Sequence, residues 1–219
     1  RHLLLAAGTA SGKTEAAFLP VLTQLHAEPP ASVGALYIGP LKALINDQFA
    51  RMEGLCEEIE FPVHKWHGDV AGSAKEKVRK KPNGVLLMTP ESLEALFVLH
   101  GSHVRRMFEG LEAVVIDEIH AFIGSERGAQ LQSLLHRVEA AIGRKVDRIG
   151  LSATLGDPSL AAEFLRPGHG AAVRLVESSA AGEFRAAIHG VEAPPPPTEA
   201  PADGDREEPP SGLPFVEDH

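Results

Sequence analysis

Short apolar runs alternate with amphipathic segments along residues 3–176, a pattern typical of a parallel sheet with helices on its faces. A strand that is buried on both faces typically has a continuous run of Val, Ile, Leu and Ala in its sequence. On this basis we predict strands at residues 3–6, 35–38, 63–66, 85–88, 113–116, 149–152 and 173–176. We predict helices at residues 13–25, 42–59, 92–99, 128–142 and 158–164. The pattern therefore predicts an α/β fold with a mostly parallel central sheet.

Proline positions refine the predicted helices. Thr89-Pro90 and Asp157-Pro158 each have the order of an N-cap followed by proline at the first helical position. Pro20 lies inside the first predicted helix, where a missing N–H group is expected to kink it.

The composition of the chain changes at Ala193. Eight of the 17 prolines lie between Pro194 and Pro214, and residues 193–219 contain seven acidic residues and one arginine. Such a segment buries too little apolar surface to offset its ordering entropy, so we predict a domain at residues 1–190 and a linker or disordered tail at residues 191–219. The tail holds most of the net charge of −9 and leaves −3 on the remainder, which can still present a local basic face.

Length and cysteine content narrow the class of protein. The 219 residues suit one large domain, and the single cysteine, Cys56, cannot form an internal disulfide and is expected to be a small buried side chain. The sequence contains no uninterrupted apolar run of about 18 residues, the length that a membrane span needs. We expect a cytoplasmic protein with no membrane partner. The chain opens on an apparent strand without an initiator Met, so we interpret it as a fragment with residues missing upstream.

The first chemical signal follows the first predicted strand. Residues 7–14 read AGTASGKT and open a helix, which is the context of a phosphate-binding loop. Small residues let backbone N–H groups surround an anion, Lys13 is expected to reach the β- and γ-phosphates, and Thr14 is expected to place its hydroxyl on Mg²⁺. The alternative is an ordinary Gly/Ser turn that caps a helix. The candidate ATP-binding residues are Gly8, Thr9, Ala10, Ser11, Gly12, Lys13 and Thr14.

The second signal is a pair of acids, Asp117 and Glu118, at the end of a predicted strand. A carboxylate in this place holds Mg²⁺ in phosphate-loop enzymes, which fits Asp117, and Glu118 is placed to orient and deprotonate the attacking water. Taken alone, such acids are more often a helix N-terminal cluster.

The third signal is Ser152-Ala153-Thr154 at the end of a later strand. Because neighbouring parallel strands end at the same edge, His120 is expected to hydrogen-bond Ser152 or Thr154. Taken by itself, His120 would be interpreted as a partly exposed histidine at the end of a strand. Residues 152–154 by themselves would be interpreted as the polar end of a strand.

Together, the segments GTASGKT, DEIH and SAT resemble superfamily-two helicases of the DEAD/DEAH-box kind. Residues 40–48, 67–69 and 89–93 resemble the intermediate motifs of that family. The amino-acid sequences of these motifs are most similar to those of the large helicase-related (Lhr-like) branch and its superkiller-type relatives. The resemblance spans residues 3–165. It implies the first RecA-like domain, a three-layer P-loop NTPase domain with ATP as substrate and Mg²⁺ as cofactor. It also implies a nucleic-acid track along Pro40, Lys42, Gly68, Thr89 and Pro90.

The same resemblance implies a second RecA-like domain that supplies arginines to the transferring phosphoryl group. After Thr154 the chain has only Arg166, Arg174, Arg185 and Arg206, so we expect weak ATP binding and very slow turnover from this chain alone. The resemblance leaves DNA and RNA both open as the nucleic-acid partner.

Several alternatives remain at this point. The basic run at residues 75–81 is interpreted as a solvated helix face rather than a nucleic-acid patch, and Trp66 as a core residue rather than a stacking platform. A P-loop enzyme of another class and a non-catalytic RecA-like module are the competing functions.

Overall fold

The computed structural model describes residues 2–8, 11–57, 59–153 and 155–178. Seven strands form one sheet in the order β3-β4-β2-β5-β6-β1-β7. Every pairing between these strands is parallel, which confirms the predicted fold class. The strands are β1 (His2–Ala7), β2 (Ala35–Ile38), β3 (Val63–Trp66), β4 (Val85–Met88), β5 (Ala113–Ile116), β6 (Asp147–Ser152) and β7 (Val173–Ser178).

Six α-helices connect the described strands. They are α1 (Lys13–Ala27), α2 (Lys42–Glu57), α3 (Gly72–Lys80), α4 (Pro90–Phe108), α5 (Glu126–Ile142) and α6 (Pro158–Leu165). Thr89 and Asp157 cap α4 and α6 with their side chains, and a proline follows each of them, as predicted. None of the described helices is both long enough and apolar enough to cross a membrane.

The helices differ from the predictions in two places. Residues 72–80 form a helix, which agrees with the interpretation of the basic run at residues 75–81 as a solvated helix face, but its bounds were not predicted, because Val78 is its one buried residue. Helix α4 is kinked at the non-helical His100, directly after the predicted end at residue 99, and the helical segment that follows to Phe108 was not predicted; its Val104, Met107 and Phe108 pack in the core. Helix α1 continues past Pro20, which lies on its exposed side, and the kink expected there stays a prediction.

Two apolar clusters place the helices in layers on opposite faces of the sheet. Tyr37 and Leu87 pack with Phe18 of α1 and Met52 of α2, whereas Ile38 packs on the other face with residues of α3 to α6. Neighbouring residues of β2 point to opposite faces because side chains alternate along a strand. The result is the predicted three-layer domain. The predicted boundary near residue 190 and the tail at residues 191–219 lie outside the described residues.

The topology collects the ends of the strands at one edge. Since all strands run the same way, the segments that follow β1, β2, β3, β4, β5 and β6 emerge at the carboxyl edge of the sheet. Those segments begin at Gly8, Gly39, His67, Thr89, Asp117 and Ala153. Open α/β sheets bind ligands at this edge.

The opposite, amino edge is held by a buried ion cluster around Glu139 of α5. Glu139 is 5% exposed, and its Oε1 lies 2.8 Å from Arg166 Nη1 and 3.2 Å from Arg148 Nη2. The same oxygen accepts the Val146 N–H at 3.2 Å. This cluster ties α5 and α6 to the start of β6, the strand whose other end carries Ser152.

We expect Glu139→Ala to destabilise the chain by about 3–5 kcal/mol, because it leaves two buried guanidinium groups without their carboxylate. Burial alone would raise the pKa of Glu139, but Arg148, the Val146 N–H, Lys145 and Arg166 together lower it, so this stabilisation is lost only in acid. Urea unfolding of the chain measures the loss. Lys145→Ala is the matched control, because the exposed Lys145 ion pair with Glu139 contributes at most about 1 kcal/mol. Equal, small losses of unfolding free energy in both variants would contradict the conclusion that Glu139 holds the buried ion cluster together.

Candidate active site

The loop after β1 turns sharply into α1. Gly12 caps the helix with φ of 77°, a left-handed conformation that favours glycine, and its carbonyl accepts the Ala16 N–H at 2.9 Å. Lys13 Nζ folds back and donates to the carbonyls of Ala7 and Gly8, both at 2.6 Å. The carbonyl groups of Ala7 and Gly8 therefore hold the Lys13 ammonium group at the turn between β1 and α1. Thr9 and Ala10 lie outside the described residues.

The two acids leave β5 in different environments. Asp117 is 7% exposed; its Oδ1 accepts the Glu118 N–H at 2.9 Å and its Oδ2 accepts the hydroxyl of Tyr37. Glu118 has φ 47° and ψ 48°, a left-handed conformation that a non-glycine residue adopts at a cost of order 1–3 kcal/mol. This conformation starts the 3₁₀ turn Ile119–Ala121 and brings the Glu118 carboxylate back to the carboxyl edge.

One pocket joins the loop to the acids. Its walls are Ser11, Gly12, Lys13, Thr14, Glu15, Gln48, Arg51, Asp117 and Glu118. The pocket offers a hydroxyl and carboxylate oxygens, the ligands that Mg²⁺ prefers, beside an ammonium group suited to phosphate. Within the described part of the chain, the buried Gln48 Oε1 has no hydrogen-bond partner. The residues present therefore fit both a metal ion and the phosphates of a nucleotide.

His120 connects this pocket to the next strand. Its Nδ1 lies 3.1 Å from Ser152 Oγ, which is the hydrogen bond expected from the sequence, and 3.3 Å from Glu118 Oε2. Ser152 is fully buried at the end of β6, whereas Thr154 lies outside the described residues. A chain of polar contacts therefore runs from Glu118 through His120 to β6.

A second concavity lies along the same edge, beyond β2, β4 and β3. Four of the five residues predicted to contact nucleic acid line it: Pro40, Lys42, Gly68 and Thr89. The fifth, Pro90, is buried at the start of α4. Thr89 is itself 5% exposed, and its hydroxyl bonds that of Ser92 within the first turn of α4.

Three cations line this groove, namely Lys42, Lys75 and Arg127. Lys42 Nζ lies 3.0 Å from Asp69 Oδ1, and Arg127 Nη2 lies 3.0 Å from Glu91 Oε2. A Cβ atom at Gly68 would lie 3.1 Å from Lys42 Nζ, so glycine there lets the lysine cross to Asp69. Burial lowers the pKa of His67 in the same groove, and the imidazole is therefore neutral at pH 7.

The DEAD/DEAH box helicase family model matches residues 1–162. The chain belongs to this family. The matched residues contain the phosphate loop, the two acids and the groove described above. The family assignment and the RecA-like fold predicted from the sequence are both confirmed.

Relatives of this helicase domain come from the Lhr-like branch, as predicted. It is 36% identical over 185 residues to the Lhr helicase/uracil glycosylase of Escherichia coli, which covers 75% of this chain and 12% of that protein. It is 34% identical over 183 residues to the helicase Lhr-Core of Methanothermobacter thermautotrophicus, covering 75% of this chain and 21% of that protein. The chain thus spans about an eighth to a fifth of these relatives.

Two solved structures have the same fold. Mycobacterium smegmatis helicase Lhr, bound to ssDNA and AMP-PNP, superposes with a TM-score of 0.72 at 31% identity over 84% of this chain and 24% of that chain. The helicase MrfA, bound to DNA and AMPPNP, gives a TM-score of 0.70 at 28% identity over 81% of this chain and 25% of that chain.

Sequence reasoning missed several residues that line the pocket and the groove or contact residues that do. Glu15 and Arg51 form an ion pair at the nucleotide pocket, and Gln48 lies one turn before Arg51 on α2. The spacing of Gln48 and Arg51, three residues apart on a predicted helix, was an available signal that they share a face. Tyr37 and Arg127 gave no such local signal, because their partners Asp117 and Glu91 lie 80 and 36 residues away.

Proposed function

We propose that this chain is the ATP- and Mg²⁺-binding half of a motor that hydrolyses ATP when it is bound to nucleic acid, and that translocates along or unwinds the strand. The main support is geometric: the pocket beside the phosphate loop and the groove lined by Lys42 lie on the same edge of one sheet. Helix α2 connects them, because Lys42 at its start lines the groove and Gln48 and Arg51 line the pocket.

Each residue of the pocket has a chemical task in this proposal. Lys13 leaves the carbonyls of Ala7 and Gly8 for the β- and γ-phosphates, since a charge-assisted bond is the stronger one. Backbone N–H groups of the loop from Gly8 to Thr14 surround the phosphates. Mg²⁺, bound through Thr14 and Asp117, supplies positive charge against the phosphate oxygens.

Glu118 is the proposed general base. Its carboxylate accepts a proton from water as the water oxygen bonds to the γ-phosphorus, and the bond to the ADP oxygen breaks. His120 contacts both this carboxylate and Ser152, so a shift of β6 relative to β5 would change the position of the base. Ser152 and Thr154 are accordingly proposed to couple hydrolysis to movement.

The groove is proposed to hold the backbone of single-stranded DNA. Lys42 is proposed to offer charge to the phosphates, and Gly68 and Thr89 their backbone N–H groups, which grip a strand without reading its sequence. Pro40 and Pro90, which have no N–H group, are proposed to shape the track beside them. The two similar helicase structures, described as bound to ssDNA and to DNA, favour DNA over RNA.

The proposed motor extends beyond the described residues. In this proposal residues 1–190 are its first RecA-like domain, a second RecA-like domain completes the site, and residues 191–219 are a linker or a disordered tail. The protein is placed in the cytoplasm, with the free, buried Cys56 reduced there.

The test is ATP turnover by the intact protein with single-stranded DNA, single-stranded RNA and duplex DNA in separate reactions. We expect single-stranded DNA to stimulate turnover most, and Glu118→Gln to remove the stimulated rate. Turnover that is indifferent to every nucleic acid would favour a P-loop enzyme of another class. If the full protein keeps its biological function after Lys13→Ala, the result would favour a non-catalytic RecA-like module.

Lys42 provides a separate prediction about the groove. Lys42→Ala should weaken binding of single-stranded DNA uniformly across sequences and reduce the slope of log affinity against log salt by about 0.7, the value for one phosphate contact. Asp69→Asn is the matched control: it keeps the side-chain shape but removes the competing charge 3.0 Å from Lys42, so binding should stay equal or tighten. Fluorescence anisotropy over a salt series measures both. An unchanged slope in Lys42→Ala would remove this residue from the track.

A further inference from the structure

Tyr37 lies in the middle of β2 and is fully buried. Its ring packs in the cluster on the α1 and α2 face, with its centroid 6.1 Å from that of Phe18. An aromatic residue in an apolar strand is ordinary core material, but a buried hydroxyl needs a hydrogen-bond partner. Here the partner is Oδ2 of Asp117, on the neighbouring strand's end.

That contact completes a set of restraints on Asp117. Its backbone N–H donates to the Ile38 carbonyl at 2.9 Å, which fixes the main chain beside β2. Its Oδ1 accepts the Glu118 N–H at 2.9 Å, and the Tyr37 hydroxyl occupies one site on Oδ2. Because each carboxylate oxygen can accept more than one contact, the carboxylate keeps capacity for a metal ion while its rotation is fixed.

We propose that Tyr37 is a positioning residue for the metal site, which orients the Asp117 carboxylate towards Thr14 through a buried hydrogen bond. This inference rests on the proposed function. Groups that hydrogen-bond a metal ligand fix its orientation, and removing one typically costs about 10–100-fold in metal affinity. Among the described residues, Tyr37 is the hydrogen-bond donor found on Oδ2 of Asp117, whereas the Glu118 N–H donates to Oδ1.

The decisive variant is Tyr37→Phe, which removes one oxygen atom and keeps the ring in its cluster. The first measurement is Mn²⁺ binding by electron paramagnetic resonance, with the 219-residue chain and a non-hydrolysable ATP analogue. We expect the affinity for Mn²⁺ to fall by about tenfold or more, while binding of the analogue without metal is unchanged. In the intact protein, the Mg²⁺ concentration for half-maximal turnover should rise, with a smaller change of kcat at saturating Mg²⁺.

Phe18→Leu is the matched control, because it trims the same apolar cluster and its side chain has no group that could hydrogen-bond Asp117. It should lower the unfolding temperature and leave Mn²⁺ affinity at the wild-type value. Wild-type Mn²⁺ affinity in Tyr37→Phe, or an equal loss in Phe18→Leu, would overturn the inference and leave the proposed function standing. A wild-type chain that binds no analogue and no Mn²⁺ would overturn the proposed function itself.

Discussion

Replacing Glu118 by glutamine is expected to slow nucleic-acid-stimulated ATP turnover of the intact protein by about 10²–10⁴-fold, the usual contribution of a general base. The amide keeps the size of the side chain and its place above the 3₁₀ turn, but it cannot accept the proton of the attacking water. Nucleotide binding should persist, because Lys13, Thr14 and Asp117 are untouched. Turnover is measured at saturating ATP, and binding with a fluorescent analogue.

Glu126→Gln is the control for this variant. Glu126 lies in the first turn of α5 and is exposed outside the nucleotide pocket, so its amide should leave turnover unchanged. A Glu118→Gln protein that still hydrolyses ATP at the wild-type rate would assign the base elsewhere. Loss of binding together with turnover would instead give Glu118 a structural role at its left-handed backbone position.

The second large effect concerns the missing half of the site. The 219-residue chain alone should hydrolyse ATP about 10³–10⁵-fold more slowly than a longer form of the protein that includes the second RecA-like domain. The cations that line the described nucleotide pocket are Lys13 and Arg51, and Arg51 is already paired with Glu15. Arg166, one of the few arginines after Thr154, cannot replace the arginines of the second domain, because it is bound to Glu139 at the amino edge of the sheet.

Turnover of both proteins is compared at equal concentration with saturating single-stranded DNA. Binding of the ATP analogue to the shorter chain is the control, since it separates absent chemistry from an absent site. Equal rates for the two proteins would contradict the requirement for arginines from outside this chain.

The sequence predicted most of the fold because most of the strands are buried on both faces. Four-residue apolar runs such as 85–88 and 113–116 have the strand boundaries that the structure has. The candidate site followed from topology, since parallel strands deliver their terminal loops to one edge. The basic run at residues 75–81 indicated a solvated helix face, but the bounds of α3 could not be predicted, because only Val78 is buried and a helix without an apolar stripe has no periodicity to detect.

What the sequence could not reveal depends on contacts between distant residues. Tyr37 looks like a core residue within its strand, and only the fold places its hydroxyl on Asp117, 80 residues away. The end of α4 was missed for a related reason. The helix breaks at His100, close to the predicted end, and a second helical segment follows because Met107 and Phe108 pack in the core.

A crystal structure of this chain with Mg²⁺ and a non-hydrolysable ATP analogue tests the central claim most directly. We expect the β- and γ-phosphates between Lys13 and Asp117, the metal ion on Thr14 and Asp117, and Lys13 Nζ released from the carbonyls of Ala7 and Gly8. Phosphates bound at the amino edge, in the cavity lined by His2, Arg148 and Arg166, would contradict it.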